Sequence, residues 1–286
     1  MTPEVLTSQQ RLDRLDALRE LLERRGLRVA PTRVGQYLKA LTQFVALAGQ
    51  RELEHHEFDD YLFTLREVDE LLWVFKGLRV HEPAGALEKV EKALGGQRFS
   101  SEDLNSTARN YLFELRIASY FLQAGFKVEM GDEADLTVRV DEATVHIECK
   151  RPESPTKVRA RAKEALRQLK RRFESDVTGR SLGLVAVDVG RILHPAQGLA
   201  VGVTAQLARD GLRAQLLKFD DEYQLGQVFR DETRILSVWL QVLTPVLHVV
   251  EQQPATRFSS LHLPLVPEFG QQWRIFNRLR SAFELA

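Results

Sequence analysis

Along the first third of the chain, apolar residues recur at three- and four-residue spacing, the period of helices that bury one face. The pattern predicts helices over residues 8–25, 31–48, 58–76 and 84–94, with Gly26, Gly49, Gly77 and the pair Gly95-Gly96 as their stops. Residues 95–101 read as a boundary between a helical region, 1–96, and a second region, 97–286. The second region opens with a helix capped by Ser101 or Ser106, which runs to about Ala124 and is stopped by Gly125.

Beyond Gly125 the period changes. Residues 126–130 suit a short strand, and 133–140 and 143–150 both alternate polar and apolar with period two. Between them Asp141-Glu142 makes a two-residue turn. A basic helix is expected over 156–175. Residues 182–189, apolar except for Asp188, suit a strand buried on both faces. Helical spacing returns over 204–217 and 221–230, strand-like alternation over 236–266, and a helix over 271–283. The order helix, three strands, helix, strand gives an α/β core with helices packed on a mixed sheet.

The hairpin carries the first chemistry. With a two-residue turn, facing residues have numbers that sum to 283, so Asp135 faces Glu148 and Lys150 lies one step along the same face. Directly opposed side chains have Cβ atoms about 4.5–5.5 Å apart. Two carboxylates that close require a cation between them, and a divalent metal is the candidate. The polar face comprises Glu133, Asp135, Thr137 and Arg139 opposite Thr144, His146, Glu148 and Lys150. Cys149 falls on the apolar face, which argues against a nucleophilic role. Taken alone, the hairpin reads first as an amphipathic ribbon with one wet side, on which Glu133 pairs with Lys150.

Two other features shift that balance. Glu114 shares a helix face with Tyr111, Ala118, Phe121 and Gly125, so its carboxylate needs a donor, a cation or a proton. An ion pair to Arg109 or Arg116 is the structural alternative. Formal net charge is zero, with 40 basic and 40 acidic residues. Yet Lys150 to Arg172 holds ten Lys or Arg against two Glu, a local net of +8. Lys157, Arg161, Gln168 and Arg172 flank that helix's apolar stripe. A cationic band beside paired carboxylates points to an anionic partner, of which phosphate is the commonest.

Several classes are set aside. One cysteine leaves no internal disulfide framework and no Cys-rich zinc site. The longest apolar stretch, 235–250, is interrupted by Gln241, Pro245 and His248 and is shorter than the roughly 20 residues of a membrane span. The first residues lack a signal-peptide layout, so a cytoplasmic location is expected. No glycine-rich phosphate or dinucleotide loop occurs. His55 and His56 are adjacent on a helix and point apart, and Trp73, Trp239 and Trp273 read as packing residues.

A helix with Glu114, a strand with Asp135 and the next strand with Glu148-Cys149-Lys150 together resemble the PD-(D/E)XK nuclease superfamily, over residues 105–189. The resemblance implies a restriction-endonuclease-like core with a central mixed sheet and an all-α region before it. It implies Mg2+ or Mn2+ held at Asp135, Glu148 and Cys149, and Lys150 orienting the attacking water or steadying the phosphate. Glu114 matches the acid of the first core helix and Gln168 the polar residue of the second. Arg151, Lys157, Arg161 and Arg172 would meet the phosphates of nucleic acid, DNA ahead of RNA. Ala134 stands where the motif has proline. The alternative is a catalytically silent relative that binds nucleic acid or scaffolds a partner. A homodimer or a protein partner is expected to use the N-terminal helices.

Overall fold

Thr7 opens the first helix through a reciprocal cap: its hydroxyl accepts the Gln10 N–H and the Gln10 side chain accepts the Thr7 N–H. The structure is a computed structural model that describes residues 6–48, 50–99, 102, 107–131, 134–194, 200–202, 204–248 and 253–284. Gly49, Ser101, Ser106 and Glu133 lie outside the described residues. The helical region comprises α1 (Ser8–Arg24), α2 (Arg33–Ala48), α3 (His55–Val80) and α4 (Ala86–Ala93), followed by α5 (Thr107–Gln123).

One glycine does something other than stop a helix. Gly77 lies inside α3, which continues to Val80. A Cβ there would stand 2.7 Å from Ser119 Cα on α5, closer than real contacts allow, so glycine is what lets the two helices cross. Ser119 Oγ donates to the Trp73 carbonyl across the same crossing. Gly77→Ala should therefore destabilise the protein by about 1–2 kcal/mol, because backbone overlap outweighs the gain in helix propensity. The check is a urea midpoint that falls at unchanged slope.

The sheet is built from β1 (Lys127–Glu129), β2 (Leu136–Val140), β3 (Ala143–Lys150), β4 (Ser181–Asp188), β5 (Ala200–Gly202), β6 (Ile235–His248) and β7 (Gln253–Pro264). Among the described residues its order is β1-β2-β3-β4-β6-β5, with β7 antiparallel along β6. β1, β2 and β3 are antiparallel neighbours, whereas β4 runs parallel to β3 and to β6. The chain is thus α/β with a mixed sheet. Interspersed are α6 (Val158–Ser175), α7 (Gly190–Leu193), α8 (Ala205–Tyr223), α9 (Gly226–Phe229) and α10 (Gly270–Glu284).

In the C-terminal half one expected break is absent, and α7 and β5 are elements that the pattern does not predict. α8 runs through the gap expected at 218–220 and ends where Gln224 adopts φ 46°, leaving only the short α9. Pro245 sits within β6, beyond the stretch paired with β4 to Gln241 and before the stretch paired with β5 from Val246. A missing N–H is tolerated there, because that edge of β6 has no described partner at the proline.

Alternation along the strands assigns the two faces. Leu182, Leu184 and Ala186 join Val145, Ile147 and Trp239 in a core shared with α1 to α5 and α10. Val185 and Val187 point the other way, into a core with Val158, Leu169 and Phe173 of α6 and Leu212 and Phe219 of α8. The first core draws on the N-terminal helices and the sheet alike, from Leu15 to Ala282. Among the described residues, no helix is long and apolar enough to cross a membrane.

Candidate functional site

The hairpin forms in the expected register. Leu136 faces Ile147, Thr137 faces His146 and Val140 faces Ala143, each pair summing to 283 across a turn whose Asp141 has φ 54°. The ladder closes at Leu136, so Asp135 sits in the bend that leads into β2, one residue before its first pair. From there its carboxylate turns onto β3: Oδ2 accepts the Cys149 N–H at 2.6 Å. Asp135 therefore meets β3 through the backbone rather than as a further rung of the ladder.

The cation between the two carboxylates is Lys150. Its Nζ lies 3.3 Å from Glu148 Oε2 and 4.0 Å from Asp135 Oδ2, with Glu164 Oε1 of α6 also at 4.0 Å. The face of β3 that carries Glu148 and Lys150 is covered by α6, which leaves Glu148 only 1% exposed and Lys150 8%. Packing rather than water thus surrounds the charged end of the hairpin. Glu148 Oε1 is buried without a hydrogen-bond partner, and Arg172 Nη2 lies 4.0 Å from it. Gln168 stands one turn from both Glu164 and Arg172 on the same side of α6, and its buried Oε1 also lacks a partner.

Glu114 is buried on α5, and its partner is neither Arg109 nor Arg116. It is Lys89 of α4, whose Nζ ion-pairs with Glu114 and donates to the Asp135 carbonyl at 2.9 Å. Arg109 instead holds Glu67, and Arg116 holds Glu70 and Asp188. Nothing in the sequence pattern singles out Lys89, because α4 and α5 are separate elements and only the fold brings it to the site. Lys89, Glu114 and Asp135 line an open cleft of about 270 Å³ together with Lys92, Asn110 and Tyr111.

Electrostatics follow from this packing. Burial, then the neighbouring Asp135, pushes both Glu114 and Glu148 up to about 7. Lys150 is pulled in two directions: burial opposes its charge, but Asp135, Glu148 and Glu164 outweigh it and raise its pKa. Burial raises the Cys149 thiol well above its ordinary value. That thiol packs with the α5-side core, so it is unsuited to ligate a hard cation, and the residue's main-chain oxygen is the donor it offers.

The cations expected to meet substrate have varied surroundings. Lys157 is exposed. Arg161 is fixed by Glu153 and by Glu164 at 2.9 Å. Arg151 Nε donates to Asp188 Oδ2 at 3.1 Å, and Arg172 leans toward Glu148. His146 lies between Thr137 Oγ1 at 3.4 Å and Ser181 Oγ at 3.3 Å, within the sheet.

Among the described residues, no three His, Cys, Asp or Glu side chains form a metal-holding group. The donor set at the site is two carboxylates, Asp135 and Glu148, both within 4.0 Å of Lys150 Nζ, and Cys149, between Glu148 and Lys150 in sequence, adds a main-chain oxygen. All are hard oxygen donors, and the unpartnered Glu148 Oε1 is a buried lone-pair site that a cation would satisfy. A divalent hard metal that retains part of its water shell fits this set. The chain matches no family model, no curated protein and no solved structure.

Proposed function

We propose that this protein is a metal-dependent phosphodiesterase that cleaves nucleic acid, DNA ahead of RNA. The observation that carries this reading is the meeting of Asp135, Glu148 and Lys150 at the end of β3, with Glu114 and Lys89 against Asp135 from the other side. The chain order α5-β1-β2-β3-α6-β4, with β4 parallel to β3, supports the resemblance to the restriction-endonuclease-like fold.

Asp135 and Glu148 are the residues that would hold Mg2+ or Mn2+. Such an ion, when bound, supplies a lowered pKa for coordinated water and neutralises charge on the phosphate. Lys150, kept protonated by its acidic neighbours, donates to the attacking water or to a phosphate oxygen as negative charge accumulates there. Glu114, tethered by Lys89, holds the approach to Asp135. Gln168 and Arg172 line the α6 side and offer polar contacts to the same phosphate.

Incubation of the protein with supercoiled plasmid and with RNA, in Mg2+, Mn2+ or EDTA, tests the reading. Nicking or linearisation that EDTA abolishes is expected. Salt-sensitive binding without cleavage in either metal overturns it in favour of the silent alternative. That alternative has one observation behind it: the Lys150 ammonium already compensates both carboxylates without any metal.

The raised carboxylates give a pH dependence with a definite sign. Glu114 and Glu148 bind protons below about pH 7, and a cation needs the ionised form. Affinity for Mn2+ should therefore tighten between pH 6 and 8, by up to about tenfold per pH unit for each proton displaced. Calorimetric titration at the two pH values reads this directly, and an unchanged Kd counts against the site.

A further inference from the structure

α6 lies on the sheet through Val158, Ala162, Ala165, Leu169 and Phe173, all buried. At 100° per residue, Arg159, Lys163, Arg167, Lys170 and Arg171 fall within about 120° of arc on the opposite side. All five are exposed, and the one acid among them is Glu174. Arg159 is bonded at 3.4 Å to the Tyr223 carbonyl. Lys163, Arg167, Lys170 and Arg171 have no acidic partner among the described residues, in contrast to Arg161 on the inner edge, which has two. Solvated helix faces normally mix the two signs. This face spans roughly 18 Å from Arg159 to Arg171, at 1.5 Å per residue.

We propose that this outer face of α6 is the docking surface for the sugar-phosphate backbone of duplex DNA, with Lys163, Arg167, Lys170 and Arg171 as its phosphate contacts. Of the cations expected from sequence, Arg151, Arg161 and Arg172 are held by Asp188, by Glu153 and Glu164, and beside Glu148, and Lys157 stands exposed just before α6, whereas these four form a row along the helix with no acidic partner among the described residues. Charge complementarity alone would also suit an anionic membrane, but a membrane-binding basic helix inserts its apolar face, and that face of α6 is buried in the core. Duplex DNA carries a phosphate every 3.4 Å along each strand, so a linear row of cations about a turn apart meets several at once. The inference takes from the proposed function only the nucleic-acid partner.

The test is duplex binding by the full chain in EDTA, with no cleavage involved, as a function of salt. The variant Lys163→Gln/Arg167→Gln/Lys170→Gln/Arg171→Gln should bind more weakly, with log K against log salt shallower by roughly three to four, since each lost phosphate contact removes about 0.9. Its melting temperature establishes that it is folded. A control variant neutralises four exposed cations elsewhere, Arg209, Arg213, Lys218 and Arg274. An unchanged slope in the α6 variant, an equal fall in the control, or a loss confined to anionic vesicles overturns the proposal. A duplex that binds through α6 and is never cut leaves the docking surface standing and the nuclease reading refuted.

Discussion

Glu148→Gln should abolish metal-dependent cleavage and at the same time make the metal-free protein more stable at pH 8. The two effects have opposite signs because they come from one cause. Glu148 is buried under α6, and burial holds its pKa near 7 instead of the ordinary carboxylate range. A carboxyl whose folded pKa is raised stabilises the fold below its unfolded pKa and loses that contribution as pH rises through the folded value. Above pH 7 the ionised side chain is therefore a burden on the fold, on the order of a few kcal/mol. The amide removes that burden without removing the volume. It also removes the charge that would hold a divalent cation with Asp135. Loss of several kcal/mol of charge stabilisation in the transition state corresponds to on the order of 10³-fold in kcat. Thermal melts at pH 5 and pH 8, set beside plasmid nicking in Mn2+, separate the two outcomes. Cleavage that persists in Glu148→Gln at the wild-type rate sinks the site, and a gain in stability that is equal at both pH values sinks the electrostatic account.

Lys150→Ala complements this. It removes the compensating ammonium that lies 3.3 Å from Glu148 Oε2 and 4.0 Å from Asp135 Oδ2, leaving both carboxylates without the cation between them. Both cleavage and stability should fall at pH 8, and the stability loss should shrink at pH 5, where Glu148 takes up a proton.

How much of this was visible in the sequence depends on whether the controlling interactions are local. The hairpin register was legible, because a two-residue turn and a period-two pattern together fix every pair from Val140–Ala143 to Leu136–Ile147. So were the helices whose apolar spacing is regular, and the cationic character of α6. Three features were hidden because they depend on packing between distant segments. Gly77 looks like a helix stop until α5 is laid across it. Lys89, some 25 residues from Glu114, is an ordinary surface lysine in the pattern of α4 and becomes a site residue only when that helix docks. Asp135 looked like a ladder residue, but the strand begins one position later and the carboxylate caps the Cys149 N–H instead. The division of the α6 cations into held and free ones is likewise set by where acids fall around the helix: Glu153 before it, Glu164 within it and Glu148 on β3.

Asp188→Ala should destabilise the protein by about 3–5 kcal/mol, the most damaging single change we expect outside the apolar core. Asp188 ends β4 on the face that carries Leu184 and Ala186, where its carboxylate is buried beneath α5. Oδ2 accepts from Arg116 Nη2 and from Arg151 Nε, both at 3.1 Å, and Oδ1 accepts the Gly190 N–H at 2.9 Å. Burial alone would raise its pKa, but Arg116, Arg151, the Gly190 N–H and Arg66 more than reverse this and hold it at about 2. Arg116 passes the connection on to Glu70 of α3 at 2.6 Å. Removing Asp188 leaves Arg116 fully buried with one carboxylate in place of two and frees Arg151, the residue next to Lys150. Breaking a buried pair on one side costs more than the pair was worth, because the remaining charge has no water to return to. The loss should therefore be smaller in the double variant Asp188→Ala/Arg116→Met, which removes both charges, than in Asp188→Ala alone. The depressed pKa gives a second check: the contribution of Asp188 is present above its ordinary carboxylate pKa and is lost as pH falls toward 2, so the difference between wild type and variant should narrow in acid. Denaturant unfolding at pH 7 and pH 3.5 measures both, and a variant as stable as wild type at pH 7 would show that this network does not tie the helical region to the site.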